Sequence, residues 1–255
     1  MNSLVKTLDQ IAELTVAQLK ARYRKTFAGL IWVILNPLIM FGAQAIAFKH
    51  ILKVDIKDYY LYLLGGLVPW IFIVMTVQMS TPVLQHSGAL LKSFQLNPLI
   101  LVFTQIADNL INFVLAFSLM YIPIQMQYGM PSWGILLLPL PLILMLIGVA
   151  SICVTLSVMQ VFYRDINYVV NFVTGVLFFV TPVFFTADMI IPHYKWLLYL
   201  HLPYLFIDAF RACIYEFNFD YFLLALLKSS IACAILVVVA FITWKGKRNE
   251  LYLRV

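Results

Sequence analysis

The stretch KARYRKTFAGLIWVILNPL, from Lys20 to Leu38, gathers four cationic residues within six positions and then continues as apolar sequence. Further apolar runs of about 20 residues, separated by short polar breaks, follow along the whole chain. Of the 255 residues, 64% are hydrophobic and 11% are charged, whereas soluble domains average about 45–50% apolar and 25% charged residues. This composition predicts an all-α polytopic membrane protein with almost no domain outside the membrane.

Six segments are long enough to be transmembrane helices, which need about 20 apolar residues to cross about 30 Å of hydrocarbon. They cover residues 27–48, 61–82, 101–124, 134–161, 167–187 and 221–244. Pro139 and Pro141 are expected to kink the fourth span or to delay its start, because proline interrupts helical hydrogen bonding.

Two further segments do not have the composition of simple spans. Over residues 4–25, apolar and polar positions occupy opposite faces of a helix, as in helices that lie in the membrane interface. Residues 188–220 are apolar but include Asp208 and Arg211, and HLP at 201–203 divides them into pieces too short to span. We therefore expect a re-entrant or interfacial hairpin between the fifth and sixth spans.

These segments predict one transmembrane domain over residues 1–255. Its parts are an interfacial helix at 1–26, spans one to five within 27–187, the hairpin at 188–220, span six at 221–244 and a tail at 245–255.

The positive charges predict the orientation. With the N-terminus inside, eleven Lys and Arg residues face the cytoplasm and five face outside, so the positive-inside rule favours two cytoplasmic termini. The same rule accounts for the net charge of +6 without nucleic acid as a partner.

The three cysteines form no metal-binding pattern. The sequence GKR at 246–248 lacks the glycine and the Ser or Thr of a phosphate-binding loop, so we expect no ATPase site in this chain.

Several short stretches occur together in a fixed order. They are GLIWVILNPL (29–38), LGGLVPWIF (64–72), SGALLKSFQLNPLIL (87–101), VFYRDINYVVNFV (161–173), FFVTPVFF (178–185) and LPYLFIDAFRACIY (202–215). With six spans in one short chain, this order resembles the membrane subunit of a type-2 ABC exporter, most closely the polysaccharide exporter branch.

The resemblance implies a homodimer in the bacterial inner membrane. Two separate ABC ATPase subunits, which hold ATP and Mg, would dock on its cytoplasmic face. The implied substrate is a long glycan linked to undecaprenyl diphosphate, such as O antigen, capsule or a teichoic-acid-like polymer.

Two cytoplasmic segments are candidate contacts with the ATPase subunit. Adjacent leucines in a cytoplasmic loop need an apolar partner, and the resemblance implies that this partner is the ATPase. The candidate residues of this loop are Ser87, Leu90, Leu91 and Lys92. Arg164 and Asp165, between spans four and five, suit turn formation and a coupling contact equally well.

The cationic cluster has two interpretations that the sequence leaves open. Lys20, Arg22, Arg24 and Lys25 can anchor the topology alone, or can also bind the diphosphate of a lipid-linked substrate. Arginine suits the second role because its planar fork bonds phosphate oxygens in pairs.

Aromatic side chains concentrate near the predicted outer side. They suit either the interfacial belt of membrane proteins or stacking contacts with sugars. The candidates for glycan contact are Tyr59, Tyr60, Tyr62, Trp70, Tyr199, Tyr204 and Phe206.

Asp108, inside span three, suits a structural ion pair better than a proton relay, since no second intramembrane carboxylate accompanies it.

Alternative functions remain at this stage. A type-2 ABC exporter of drugs or small hydrophobic molecules would have similar spans. An ion-coupled secondary transporter is disfavoured by the absence of inverted repeats, and a scaffold would not need the leucine pair at 90–91.

Overall fold

A computed structural model describes residues 2–23, 31–94 and 96–254, which form a bundle of helices. The helices are α1 (Asn2–Tyr23), α2 (Ile31–Ala45), α3 (Tyr59–Ser80), α4 (Val83–His86), α5 (Gly88–Phe94), α6 (Pro98–Tyr128), α7 (Pro139–Phe162), α8 (Ile166–Val180), α9 (Trp196–Leu200), α10 (Leu202–Ile214) and α11 (Phe219–Arg254). Within these ranges there is no β-strand, and the predicted all-α class is confirmed.

Four helical segments of the described chain are long and apolar enough to cross a membrane. They are Tyr59–His86, Pro98–Tyr128, Pro139–Phe162 and Phe219–Leu251, which correspond to the predicted spans two, three, four and six. A fifth is present if α10 and the turn and helix before it, which meet at a 94° bend, are one broken span. The chain thus has the helices of a multi-pass membrane protein.

The two other predicted spans differ from this group. Residues 27–30 of the first lie outside the described residues, and the remainder forms α2 and a π-helical turn, Ile46–Ile51. The fifth was predicted to be helical through residue 187, and this was wrong because α8 ends at Val180. Pro182 explains the early end, since the residue before a proline is disfavoured in the helical conformation.

The starts and ends of two further helices are set by local sequence. α7 begins at Pro139, after a 3₁₀ turn at Trp133–Leu137, as the two prolines predicted. α11 continues past the predicted end of the last span at residue 244 and includes most of the predicted tail.

α3 lies at the centre of the bundle and packs against α6, α7 and α10, while α11 packs along α7. Its side chains Leu63, Leu64 and Leu67 are fully buried.

One end of the bundle holds α4, α5, the turn at 163–165 and the C-terminal part of α11, and is called the α5 end below. The opposite end holds residues 55–62 and 181–218 and is called the hairpin end.

The segment between α8 and α11 is a bent hairpin. α9 and α10 meet at His201, so the predicted break at 201–203 is confirmed. The ring of His201 fixes the bend, because its Nδ1 accepts a hydrogen bond from the Tyr204 amide at 3.1 Å. Its Nε2 lies 2.9 Å from the Thr181 hydroxyl, which itself donates to Leu177 O. The ring hydrogen therefore sits on Nε2. In this neutral form His201 connects the C-terminal end of α8 to the N-terminal end of α10.

Candidate functional site

At the α5 end, the predicted contact loop forms the short helix α5. Its adjacent leucines face opposite environments: Leu91 is 1% exposed and belongs to the core, whereas Leu90 is 36% exposed. Lys92 is exposed and Ser87 is half-buried. Leu91 therefore packs inside its own chain, and Leu90 and Lys92 form the part of this helix that a partner can reach.

The helix after α5 begins at Pro98, three residues before the predicted start of span three. The Asn97 side chain accepts a hydrogen bond from the Leu99 amide at 3.1 Å, and Pro98 occupies the first helical position. Asparagine at this position supplies an acceptor for an amide that has no partner within the helix. The cap fixes the start of α6 and thereby the end of the α5 segment.

A buried glutamine connects α4, the short helix before α5, to α8. The Gln160 amide group donates to the Gln85 side chain at 2.8 Å and to the carbonyl of Arg164 at 3.1 Å. Its oxygen accepts a hydrogen bond from the Asn167 amide at 2.8 Å, in the first turn of α8. Gln160 is 3% exposed, and its three hydrogen bonds are partly shielded from water. A displacement of α4 would therefore be transmitted to the start of α8.

Arg164 and Asp165 themselves are exposed and form the turn between α7 and α8. Both contribute backbone carbonyls, from Arg164 to the Gln160 side chain and from Asp165 to the Val169 amide. Their side chains are available to a partner, so the turn and coupling interpretations both stand.

At the hairpin end, side chains provide the hydrogen bonds of an irregular backbone segment, 182–185. The Tyr62 hydroxyl donates to Phe185 O at 2.7 Å, and the Tyr59 hydroxyl lies 3.4 Å from Phe184 O. The guanidinium of Arg211 donates to Val183 O at 3.3 Å. Non-helical backbone at membrane depth requires such internal partners, because hydrocarbon offers none.

Two glycines leave the space that Arg211 occupies. The residue is 5% exposed, and its Cζ lies 3.9 Å from the centre of the Tyr62 ring. A Cβ atom on Gly66 would overlap the guanidinium, and one on Gly65 would lie 3.1 Å from Arg211 Cγ. α3 and α10 can therefore approach this closely only because α3 has no side chain at these two positions.

A second polar group lies beside this arginine. Asp208 accepts a hydrogen bond from the Tyr221 hydroxyl at 2.8 Å and lies 3.4 Å from that of Tyr204. Just beyond α10, the Tyr215 hydroxyl donates to Lys57 O at 3.0 Å. Burial raises the pKa of Tyr215 to about 12, so its hydroxyl keeps the proton that this bond needs. These bonds attach α10 to α11 and to the start of α3.

Most of the aromatic residues predicted to contact glycan are packed inside the chain. Five of the seven are buried: Tyr59, Tyr62, Trp70, Tyr204 and Phe206. A sugar stacks only on a ring face that it can reach, and these five rings are buried in this conformation, so their contact with glycan stays a prediction. Tyr60 is half-buried beside His50, and Tyr199 is 63% exposed. Among the seven candidates, these two have a surface that a ligand can reach.

The cationic cluster is described only in part. Lys20 is exposed near the end of α1, the backbone of Arg22 belongs to the same helix, and Arg24 and Lys25 lie outside the described residues. α1 is held against α6 by a hydrogen bond between Gln18 and Gln105 at 2.9 Å. The fully buried Asp108 lies on the same side of α6 as Gln105.

Comparison with known families identifies the architecture. The profile of the ABC-2 type transporter family matches residues 9–215, which include α10 and every residue of the predicted contact segments. The chain belongs to this family. Membership implies a membrane location, partnership with an ABC ATPase and no ATPase site in the membrane subunit itself.

Three curated relatives of this ABC-2 transporter subunit have the same descriptive name, O-antigen export system permease protein RfbA. The Myxococcus xanthus protein is 29% identical over 195 residues, which are 74% of this chain and 75% of the relative. Two Klebsiella pneumoniae proteins are 25% and 26% identical, with 74% of each chain covered. The similarity thus extends over about three quarters of each protein.

Some important residues of the subunit were not identified from sequence. Gly65 and Gly66 formed a visible signal, because paired glycines inside a span indicate close packing. Arg211 was used only as an outer charge and as a sign that residues 188–220 are not a simple span, although an ionisable residue in an apolar segment indicates a specific role. Gln160 gave no signal, since its partners are known only from the fold.

Proposed function

We propose that this chain is the membrane subunit of an ATP-driven exporter that moves a polysaccharide linked to undecaprenyl diphosphate across the bacterial inner membrane. The relatives named O-antigen permeases, matched over about three quarters of their lengths, are the observation on which the proposal rests. The glycan is an O antigen, a capsule or a teichoic-acid-like polymer. ATP and Mg bind to the partner subunit.

Deletion of the gene for this chain tests the proposal. Surface glycan should disappear while lipid-linked glycan accumulates in the cytoplasm, and the wild-type gene should restore the surface glycan. Unchanged surface glycan together with new sensitivity to hydrophobic drugs would instead assign the chain to small-molecule export.

The proposed exporter is a homodimer, with α8 at the contact between its subunits. One face of α8 is apolar and unpacked within the chain, and Tyr168, Phe172 and Phe179 on it are each more than 70% exposed. At about 1.5 Å per residue, its 15 residues reach about 22 Å, which is short of the hydrocarbon thickness. A neighbouring subunit would shield this short helix from lipid.

Cysteine cross-linking tests the contact. Phe172→Cys should give disulfide-linked dimers in native membranes on mild oxidation. Ile143→Cys, on an exposed face of α7, is the control and should remain monomeric. Equal cross-linking of both variants would refute α8 as the dimer contact.

The proposed ATPase subunits, two per dimer, bind at α5 and at the turn of Arg164 and Asp165. Leu90 is 36% exposed, so a contact can bury only about a third of its side chain, which is worth about 0.5–1 kcal/mol. Leu90→Asp should reduce co-purification of the ATPase while leaving the amount of membrane subunit unchanged. Leu91→Asp is the matched comparison, and it should lower the amount of membrane subunit because it places a charge in the core. Normal ATPase recovery with Leu90→Asp would refute this site.

The cationic cluster at the end of α1 is proposed to bind the diphosphate of the substrate. Arg22→Gln with Arg24→Gln should weaken stimulation of ATP hydrolysis by lipid-linked glycan, while Lys20 and Lys25 keep the N-terminus inside. Basal hydrolysis serves as the internal control. Normal glycan export by the double variant would leave the cluster a topology anchor only.

The proposed topology has α1 in the membrane interface, six spans, a re-entrant hairpin at 188–220 and both termini in the cytoplasm. The eleven-to-five distribution of positive charges supports it. A reporter fused after Val255 should be active only in the cytoplasm. Periplasmic activity would mean that the hairpin crosses the membrane as a further span.

A further inference from the structure

An apolar groove opens on the outside of the bundle between α6, α7 and α11, near the α5 end. It has a volume of about 410 Å³ and lies among Leu99 and Phe103 of α6, Ile147 and Val154 of α7, and one stripe of α11. Along α7, the distance from residue 147 to residue 154 is about 10 Å at 1.5 Å per residue. The groove therefore extends about 10 Å along the helices.

The lining offers no free hydrogen-bonding group to a polar ligand at its centre. Of the described lining residues, only Ser151 and Trp244 have a polar group in the side chain. The Ser151 hydroxyl donates to Ile147 O at 2.8 Å, within its own helix. A polar molecule would lose its bonds to water without replacement. The lining of the groove therefore suits a hydrocarbon chain.

Positive charge lies at the end of the groove that is nearest the α5 end. Val237, Phe241, Trp244 and Arg248 are spaced by four, three and four residues, so they form one stripe along α11. Arg248 is exposed and lies about one helical turn beyond Trp244.

A second cation lies on the neighbouring side of the same mouth. Lys247 Nζ is 4.7 Å from the ring centre of Phe162, the last residue of α7. The nearby carboxylate of Glu250 is directed to Arg254, at 3.6 Å. Two cations thus lie where the headgroup of a lipid would be if its acyl chain entered the groove.

We infer that this groove binds one acyl chain of an anionic membrane phospholipid, and that Arg248, with Lys247 beside it, binds the lipid phosphate. Arginine can bond two phosphate oxygens at once. In a headgroup with no net charge, the headgroup's own ammonium would offset the attraction between the phosphate and the protein cations. Trp244 lies between the hydrocarbon and the charges, at the depth that tryptophan prefers in membranes.

Native mass spectrometry of the purified full-length chain tests the inference. The detergent-solubilised protein is supplied with equal amounts of phosphatidylglycerol and phosphatidylcholine that have identical acyl chains. Wild-type protein should retain one phosphatidylglycerol in preference to phosphatidylcholine. Arg248→Gln should lower this preference about fivefold, the equivalent of about 1 kcal/mol for one interfacial charge.

Lys92→Gln is the matched control, since it removes the same charge from an exposed position of α5, at the same end of the bundle but on a helix that does not line the groove. Its lipid preference should equal that of the wild type. An equal loss in Lys92→Gln and Arg248→Gln would overturn the site, because the preference would then reflect the total charge of this end. Equal retention of the two lipids by the wild type would overturn it as well.

A second variant tests the groove itself. Ala150→Phe places a ring among the lining residues and should abolish retention of the bound lipid, with the elution profile and melting temperature of the wild type. Ser151→Leu is the variant to use if the ring of Ala150→Phe disturbs folding. It fills less of the groove and should weaken retention of the lipid. Displacement of phosphatidylglycerol by undecaprenyl phosphate at equal concentration would assign the groove to the substrate carrier and refute the phospholipid assignment.

Discussion

Replacing Gly66 by alanine tests whether the close contact of α3 with Arg211 organises the hairpin end. The new methyl group would overlap the guanidinium of Arg211 and lie 3.1 Å from Val183 O. Arg211 would then have to leave both its hydrogen bond to Val183 O and its position over the Tyr62 ring. The alternative is that α3 and α10 move apart, which would loosen the core around Ile214.

The size of the effect follows from these two routes. Overpacking a core costs about 1–3 kcal/mol, and a buried hydrogen bond from a charged group contributes about 1.5–3 kcal/mol. Alanine returns about 0.5–1 kcal/mol through its better helix propensity. Because either route relieves the clash, we expect a net loss of about 0.5–2.5 kcal/mol in the free energy of unfolding, which for a chain of this size lowers the melting temperature by about 1–10 °C.

Thermal unfolding of the purified protein in detergent measures this loss. Gly42→Ala is the matched control, because it is the same substitution in α2, where no atom lies within 4 Å of the new methyl group. That variant should melt within about 3 °C of the wild type, or slightly higher. A Gly66→Ala protein that melts together with Gly42→Ala would refute the reasoning.

A double variant identifies the clash partner. In an Arg211→Ala background, the guanidinium is absent, and Gly66→Ala should cost less than about 1 kcal/mol. An undiminished cost in that background would mean that the strain comes from another neighbour, such as the backbone around Val183.

Three further predictions concern single side chains. Gln160→Met removes the three partly buried hydrogen bonds of this side chain at nearly constant volume and should lower the free energy of unfolding by about 1–3 kcal/mol, measured by thermal unfolding. Tyr62→Phe should cost about 1–3 kcal/mol because a backbone carbonyl loses its donor, whereas Tyr60→Phe, near the surface, should change the melting temperature by less than about 2 °C. The raised pKa of Tyr215 stabilises the fold below pH 10, and this contribution is lost as the pH rises from 10 to about 12. The melting temperature should therefore fall less over that range in Tyr215→Phe than in the wild type, and an identical fall would contradict the assignment.

Span positions were predictable because they depend on length and composition alone. The apolar runs around α6 and α11 are longer than those of helices in soluble proteins. Both helices begin within a few residues of the expected places, although α11 continues past the predicted end at residue 244. The break at His201 was predictable for the same reason, since a proline and a polar residue interrupt an apolar run. Family membership followed from the order of such segments.

The functions of individual side chains were less predictable. Sequence cannot decide which of Leu90 and Leu91 faces the core, because that depends on how α5 docks against the bundle. The aromatic composition near residue 60 was visible, but the carbonyl that Tyr62 binds lies 123 residues away in the chain. The same aromatic side chains suit a sugar surface and an internal hydrogen-bond donor, and only the fold separates the two.

The irregular segment after α8 has a consequence for where the chain can change in length. Surface loops normally tolerate insertions and deletions, but the carbonyls of residues 183–185 each face a separate donor from α3 or α10. One residue added or removed between Thr181 and Ala187 would shift every carbonyl away from its donor. Met130, which is 96% exposed in the connection between α6 and α7, has no such constraint. A tag or a fluorescent label is therefore compatible with folding near Met130, whereas the stretch from 181 to 187 requires its present number of residues.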